Sequence, residues 1–132
     1  GGRIEGRRRR SRSARRGEGV ACRAARECGA SLVVVFTLSG TTARLLSHYR
    51  PQVPIIAFSP NQEVRRRLGL LWGVVPRVFE PMQDPETMVK RVEEELVSRG
   101  LATRGDRVVI VFGAPVGQPG KINSLRLHTI AA

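Results

Sequence analysis

A continuous run of five large apolar residues, Leu32–Phe36, places the strongest constraint on the fold of this 132-residue chain. Its three consecutive valines favour extended backbone, because β-branched side chains pack well on a pleated surface. Apolar side chains at both odd and even positions would face both sides of a sheet. Strands buried on both faces are typical of parallel sheets covered by helices. The run therefore predicts the centre of an α/β fold.

Helix-like and strand-like stretches alternate along the rest of the chain, as they do in α/β domains. Apolar residues at helical spacing, together with end signals such as Gly29, Pro51, Asp84 and Gly100, predict four helices. The predicted helices cover residues 20–28, 41–50, 62–71 and 85–99. The predicted strands cover residues 32–36, 53–58, a part of 73–79, 107–112 and 124–130.

Two of these strands have features that predict their place in the sheet. The strand within residues 73–79 contains Pro76, which favours a sheet edge because proline cannot donate to the ladder. The last strand alternates polar and apolar residues, which favours a half-exposed antiparallel position. We therefore predict a three-layer α/β/α sandwich with a five-stranded, mostly parallel sheet whose last strand is antiparallel.

No segment of the sequence is suited to a membrane, since the longest apolar run is far shorter than the roughly 20 residues of a spanning helix. No apolar segment follows the basic start, so a secretory signal is not expected. Cys22 and Cys28 lie six residues apart on different sides of one predicted helix, so they cannot pair with each other. These features predict a cytoplasmic protein with reduced cysteines.

Half of the net charge of +12 lies in residues 1–19, which contain eight arginines and two glutamates. This segment has too little apolar surface to fold, so we predict a disordered basic arm before a domain over residues 20–132. Ile4–Arg7 matches a protease-recognition linker of expression vectors, which predicts that part of the arm is vector-derived. The alternative is a basic nucleic-acid-binding α/β module that uses the arm, although no aromatic residue is interleaved for stacking.

Polar clusters that could form a catalytic or metal site are scarce. Each of the two aspartates of the domain is expected to have a structural role, Asp84 as a helix cap and Asp106 in a turn. Glu93–Glu95 point in three directions from mid-helix, and Arg65–Arg67 form a charge run, so both predict solvated helix faces. His48 and His128 have no cysteine or carboxylate at ligand spacing. We predict no catalytic residues and no metal site.

One loop has a composition suited to an anion. Thr37–Thr42, the hydroxyl loop, connects the central predicted strand to a helix and contains four hydroxyls and a glycine. Backbone N–H groups converge at a helix N-terminus and favour negative charge there. Hydroxyls at this position also cap helices without any ligand. These residues alone are compatible both with phosphate binding and with capping of the helix without a ligand.

Several motifs in a fixed order resemble the C-terminal domain of bacterial-type pyruvate kinase, from about Val20 to the C-terminus. The resemblance lies in Cys22–Ala25, Val33–Arg44, Tyr49–Pro51, Pro54–Ala57, Trp72–Pro76, Gly105–Asp106 and Gly113–Gly120 with Asn123.

The resemblance implies an allosteric and oligomerisation domain without activity of its own. In this family the catalytic barrel, which binds phosphoenolpyruvate, magnesium and potassium, lies upstream of the matching region. The domain would therefore need no cofactor, although the full-length glycolytic enzyme would use both metals. The implied partners are the catalytic domains and further copies in a tetramer, with no membrane and no specific nucleic acid.

The resemblance also implies a site for a phosphorylated effector. The phosphate-binding positions would be Thr37, Leu38, Ser39, Gly40, Thr41 and Thr42. A later loop would close over the sugar with Gly117, Gln118, Pro119, Gly120 and Lys121.

Two departures from the family pattern bear on the effector. The late loop commonly reads G-x-T-N, whereas residues 120–123 read G-K-I-N, which removes a hydroxyl and adds a cation. The helix over residues 85–99 lacks the tryptophan and late arginine that hold the second phosphate of fructose 1,6-bisphosphate in animal-type enzymes. A monophosphate such as ribose 5-phosphate or AMP is therefore expected. A bisphosphate remains open because Lys90 and Lys121 are available.

Overall fold

A sheet of five strands with helices on both faces forms the body of the protein. The computed structural model describes residues 19–48, 52–78, 84–113 and 122–131. The elements are α1 (residues 19–27), β1 (Leu32–Phe36), α2 (Thr41–His48), β2 (Ile55–Phe58), α3 (Gln62–Leu68), β3 (Val74–Arg77), α4 (Pro85–Ser98), β4 (Arg107–Gly113) and β5 (Ile122–Thr129). The predicted α/β fold class is confirmed.

The strand order in the sheet is β3-β2-β1-β4-β5. β1 pairs in parallel with β2 and β4, β2 pairs in parallel with β3, and β5 runs antiparallel to β4. The chain therefore moves outward from β1 to β3 and then crosses back through α4 to the other side of β1. This reversal creates a switch point between the carboxyl ends of β1 and β4, where Phe36 and Phe112 lie in register.

The first face of the sheet is covered by α1, α2 and α3. Side chains of these helices and of alternate strand positions form one buried cluster, with Ala21, Ala25, Ala43, Leu46, Val64 and Leu68 from the helices. The second face is covered by α4. The predicted inward stripe of α4 is confirmed, because Met88, Val89, Val92 and Leu96 are all buried. The two clusters enclose β1 completely, which explains its uninterrupted apolar sequence.

Local sequence signals fix the ends of several helices. Asn61 caps α3 by accepting a hydrogen bond from the N–H of Val64 at 3.1 Å. Asp84 caps α4 by accepting from the N–H of Glu86 at 3.2 Å. Gly100 follows α4 with a left-handed φ of 71°, a conformation that other residues rarely adopt.

Among the described residues, three element boundaries lie two or more residues from their predicted positions. α3 ends at Leu68, because the N–H of Leu71 donates to the carbonyl of Leu68 in a tighter turn that leads into β3. β2 begins at Ile55 rather than at residue 53, since the preceding Pro54 has no N–H to donate to the ladder. β5 begins at Ile122, two residues earlier than predicted, and a ladder irregularity accompanies this extension.

Some predictions fall outside the described residues. The predicted basic arm belongs to this group except for Gly19, which is the first residue of α1, and so do the predicted inward Tyr49 and the loop Gly117–Lys121. Among the described helices, none has the length and apolar character needed to cross a bilayer.

Candidate anion-binding site

The hydroxyl loop lies at the carboxyl end of β1, next to the switch point of the sheet. Thr37 continues the parallel ladder by donating its N–H to the carbonyl of Phe58 at 3.0 Å. The carbonyl of Gly40 accepts from the N–H of Arg44 at 3.0 Å, so α2 starts directly after Gly40. The loop therefore occupies the short connection between a buried strand and a helix N-terminus. Ligands of open α/β sheets bind in this position.

Hydrogen bonds inside the loop fix its shape. The N–H of Gly40 donates to Oγ1 of Thr37 at 2.9 Å. Oγ of Ser39 donates to Oγ1 of Thr41 at 3.0 Å and accepts from the N–H of Thr41 at 3.3 Å. These contacts join the two ends of the loop, so its backbone is organised without a ligand.

Gly40 lets the loop approach α3 closely. Its φ of +89° lies in the left-handed region, and a Cβ atom placed on it would lie 3.2 Å from Cγ1 of Val64 and 3.4 Å from Cδ2 of Leu68. Both of these side chains are buried in the first-face cluster. Glycine is therefore required here by its conformation and by the space available.

The residues predicted to bind phosphate differ in their exposure. Thr37 and Thr42 are buried, with 6% and 3% of their surface exposed. Leu38 and Ser39 are exposed, and Thr41 is half-buried. The buried hydroxyls therefore belong to the framework of the loop. Ser39 and Thr41 are the hydroxyl residues of the loop that reach the surface.

A pocket of about 80 Å³ lies between the hydroxyl loop, α2 and α3. It is lined by Ser39, Gly40, Arg44, Val64, Arg67, Leu68 and Leu71. Two exposed arginines, Arg44 and Arg67, therefore line the same pocket as Ser39 and Gly40 of the hydroxyl loop. Sequence reasoning assigned no role to Arg44 or Arg67. The spacing of Arg44, one helical turn after Gly40, was the available signal for the first of them.

The arginine run of α3 is only partly the solvated face that was predicted. Arg65 is half-buried and donates from its guanidinium to the carbonyl of Ser59 at 2.6 Å. Arg66 is exposed and lies 4.0 Å from a carboxylate oxygen of Glu63. Arg67 borders the pocket. The prediction therefore fails for Arg65, because packing of α3 beside β2 brings its guanidinium to the carbonyl of Ser59, and it holds for the exposed Arg66 and Arg67.

The other predicted solvated face also needs correction. Glu93 is half-buried, and its Oε2 lies 2.5 Å from Nε2 of His128 on β5. The sequence has no carboxylate at ligand spacing from His128, but the antiparallel pairing of β5 brings His128 to Glu93, which lies 35 positions away in the chain.

The remaining predicted site residues lie elsewhere or are not described. Gly117, Gln118, Pro119, Gly120 and Lys121 fall outside the described ranges, but β4 ends at Gly113 beside the end of β1. Lys90 is exposed on α4, across the sheet from the pocket. The described part of the chain contains no group of three or more His, Cys, Asp or Glu residues arranged to hold a metal ion.

Comparison with known proteins identifies relatives of this chain. Residues 19–128 match the family model of the pyruvate kinase alpha/beta domain. A pyruvate kinase of Agrobacterium vitis is 41% identical over 98 residues, which are 74% of this chain and 21% of the relative. One of Geobacillus stearothermophilus is 38% identical over 99 residues, 75% of this chain and 17% of the relative. One of Mycobacterium tuberculosis is 38% identical over 116 residues, 85% of this chain and 25% of the relative. The chain thus spans about a fifth of the length of these relatives.

Proposed function

Because the chain belongs to the family of the pyruvate kinase alpha/beta domain, we propose that it is the C-terminal allosteric and oligomerisation domain of such an enzyme. In the full-length protein, phosphate would pass from phosphoenolpyruvate to ADP in glycolysis. This domain would bind a phosphorylated sugar or nucleotide at the hydroxyl loop. Ribose 5-phosphate and AMP are the first ligands to test.

The observation that carries the proposal is the position of the exposed Ser39 hydroxyl at the start of α2, beside the switch point. A helix N-terminus offers unpaired N–H groups and a favourable dipole for an anion. The internal bond between Thr37 and Gly40 holds the loop in place before any ligand arrives. A preorganised loop avoids the entropy cost of ordering on binding. Phosphate binding is therefore favoured over capping alone.

The second part of the proposed site is the loop Gly117–Lys121. Its anchor, the end of β4, lies in register with the end of β1, so the chain that follows starts next to the hydroxyl loop. Lys121 adds a cation to a segment that would lie over the effector. This arrangement supports a ligand held between two loops at the switch point.

The length of the relatives supports the first of two proposed partners, and the resemblance described above implies the second. The chain would associate with the catalytic domains of a longer enzyme and with further copies in a tetramer. Magnesium and potassium are expected to serve those catalytic domains. The chain alone should therefore show no conversion of phosphoenolpyruvate and ADP in a coupled assay. Turnover that survives repurification and scales with the amount of this chain would contradict the proposal.

Substitutions at Ser39 test the effector site directly. Ser39→Asp places a carboxylate where the phosphate would lie, and like-charge repulsion should abolish binding of ribose 5-phosphate or AMP in titration calorimetry. Ser39→Asn is the matched control, because asparagine has nearly the same size and shape as aspartate but is neutral. Its side-chain oxygen can still accept a hydrogen bond from the N–H of Thr41. Unphosphorylated ribose and adenosine should not bind to the wild-type chain. Equal affinity of the Asp and Asn variants would show that the phosphate binds elsewhere.

A further inference from the structure

We draw no further inference here: the strongest candidate, the exposed apolar patch of Leu70, Trp72 and Val78 at the β3 edge of the described sheet, carries no proposal because nothing in the structure shows what covers it.

Discussion

Nε2 of His128 on β5 lies 2.5 Å from Oε2 of Glu93 on α4, and the two side chains are only 24% and 13% exposed. A second contact joins the same elements, because the guanidinium of Arg126 donates to a carboxylate oxygen of Glu86 at 2.8 Å. In the described sheet β5 is an edge strand whose ladder partner is β4. The two polar pairs therefore fasten this edge strand to the helix that covers the second face.

The buried pair should contribute more to stability than the exposed pair. Glu93→Ala leaves the half-buried imidazole of His128 without this partner, which should lower the free energy of unfolding by about 1–3 kcal/mol. Glu86→Ala breaks a contact in which the Glu86 side chain is 75% exposed, and should cost less than about 1 kcal/mol. Urea unfolding of both variants measures the difference. Equal losses in the free energy of unfolding would show that the buried pair is no more stabilising than the exposed pair.

Asp84 should make the stability of the domain depend on pH on the acid side. The hydroxyl of Thr87 and the backbone N–H of Glu86 donate to its carboxylate and hold the pKa of Asp84 below its ordinary value. The folded state therefore favours the ionised form. Its contribution is present above the unfolded-state pKa and is lost as the pH falls through the folded-state pKa.

Asp84→Asn isolates this titration, because asparagine can still accept from the N–H of Glu86. The wild-type chain should be the more stable one at about pH 6, and the difference in melting temperature should shrink toward about pH 2.5. Thermal unfolding over this range measures it. A difference that stays constant with pH would show that the carboxylate charge does not contribute.

Removal of residues 1–18 tests the predicted arm and the nucleic-acid alternative together. An unpacked segment contributes little to stability, so its deletion should change the free energy of unfolding by less than about 0.5 kcal/mol. Weak, salt-sensitive DNA binding of the intact chain should disappear with the arm, as expected of non-specific phosphate contacts. A large fall in melting temperature would place the domain boundary before residue 19. Tight DNA binding of the intact chain that is lost with the arm would favour the nucleic-acid module, whose contacts lie on the arm.

Local sequence signals were sufficient to predict the bounds of elements that carry their own burial pattern or end residues. β1 was predicted from end to end, because its apolar run needs burial on both faces. α4 was predicted to within a residue, because Asp84 and Gly100 supply a cap and a stop. The end of α3 was placed three residues too late, since the turn after Leu68 is set by the path into β3.

Contacts between side chains that are far apart in the sequence could not be predicted from the local sequence pattern. The pairing of His128 with Glu93 depends on the register of β5 against β4, which places His128 opposite Val108 on the α4 face. The position of Arg67 depends on how closely α3 approaches the hydroxyl loop at Gly40. Residue type indicated an anion-binding loop, but only the packing shows which cations lie next to it.

Alanine at Gly40 should impair both the fold and the effector site, and Gly29 provides the matched control. Both glycines have left-handed φ values, 89° and 66°, so alanine should cost about 1–2 kcal/mol at either position through backbone strain. At Gly29 a Cβ would meet no atom within 4 Å, whereas at Gly40 it would lie 3.2 Å from Cγ1 of the buried Val64. Gly40→Ala should therefore destabilise the chain more than Gly29→Ala in urea unfolding. It should also weaken phosphate binding in calorimetry, because the Thr37–Gly40 hydrogen bond that shapes the loop would be displaced. Equal losses of stability with unchanged binding in both variants would show that α3 yields to the new methyl group and that loop geometry is not what holds the anion.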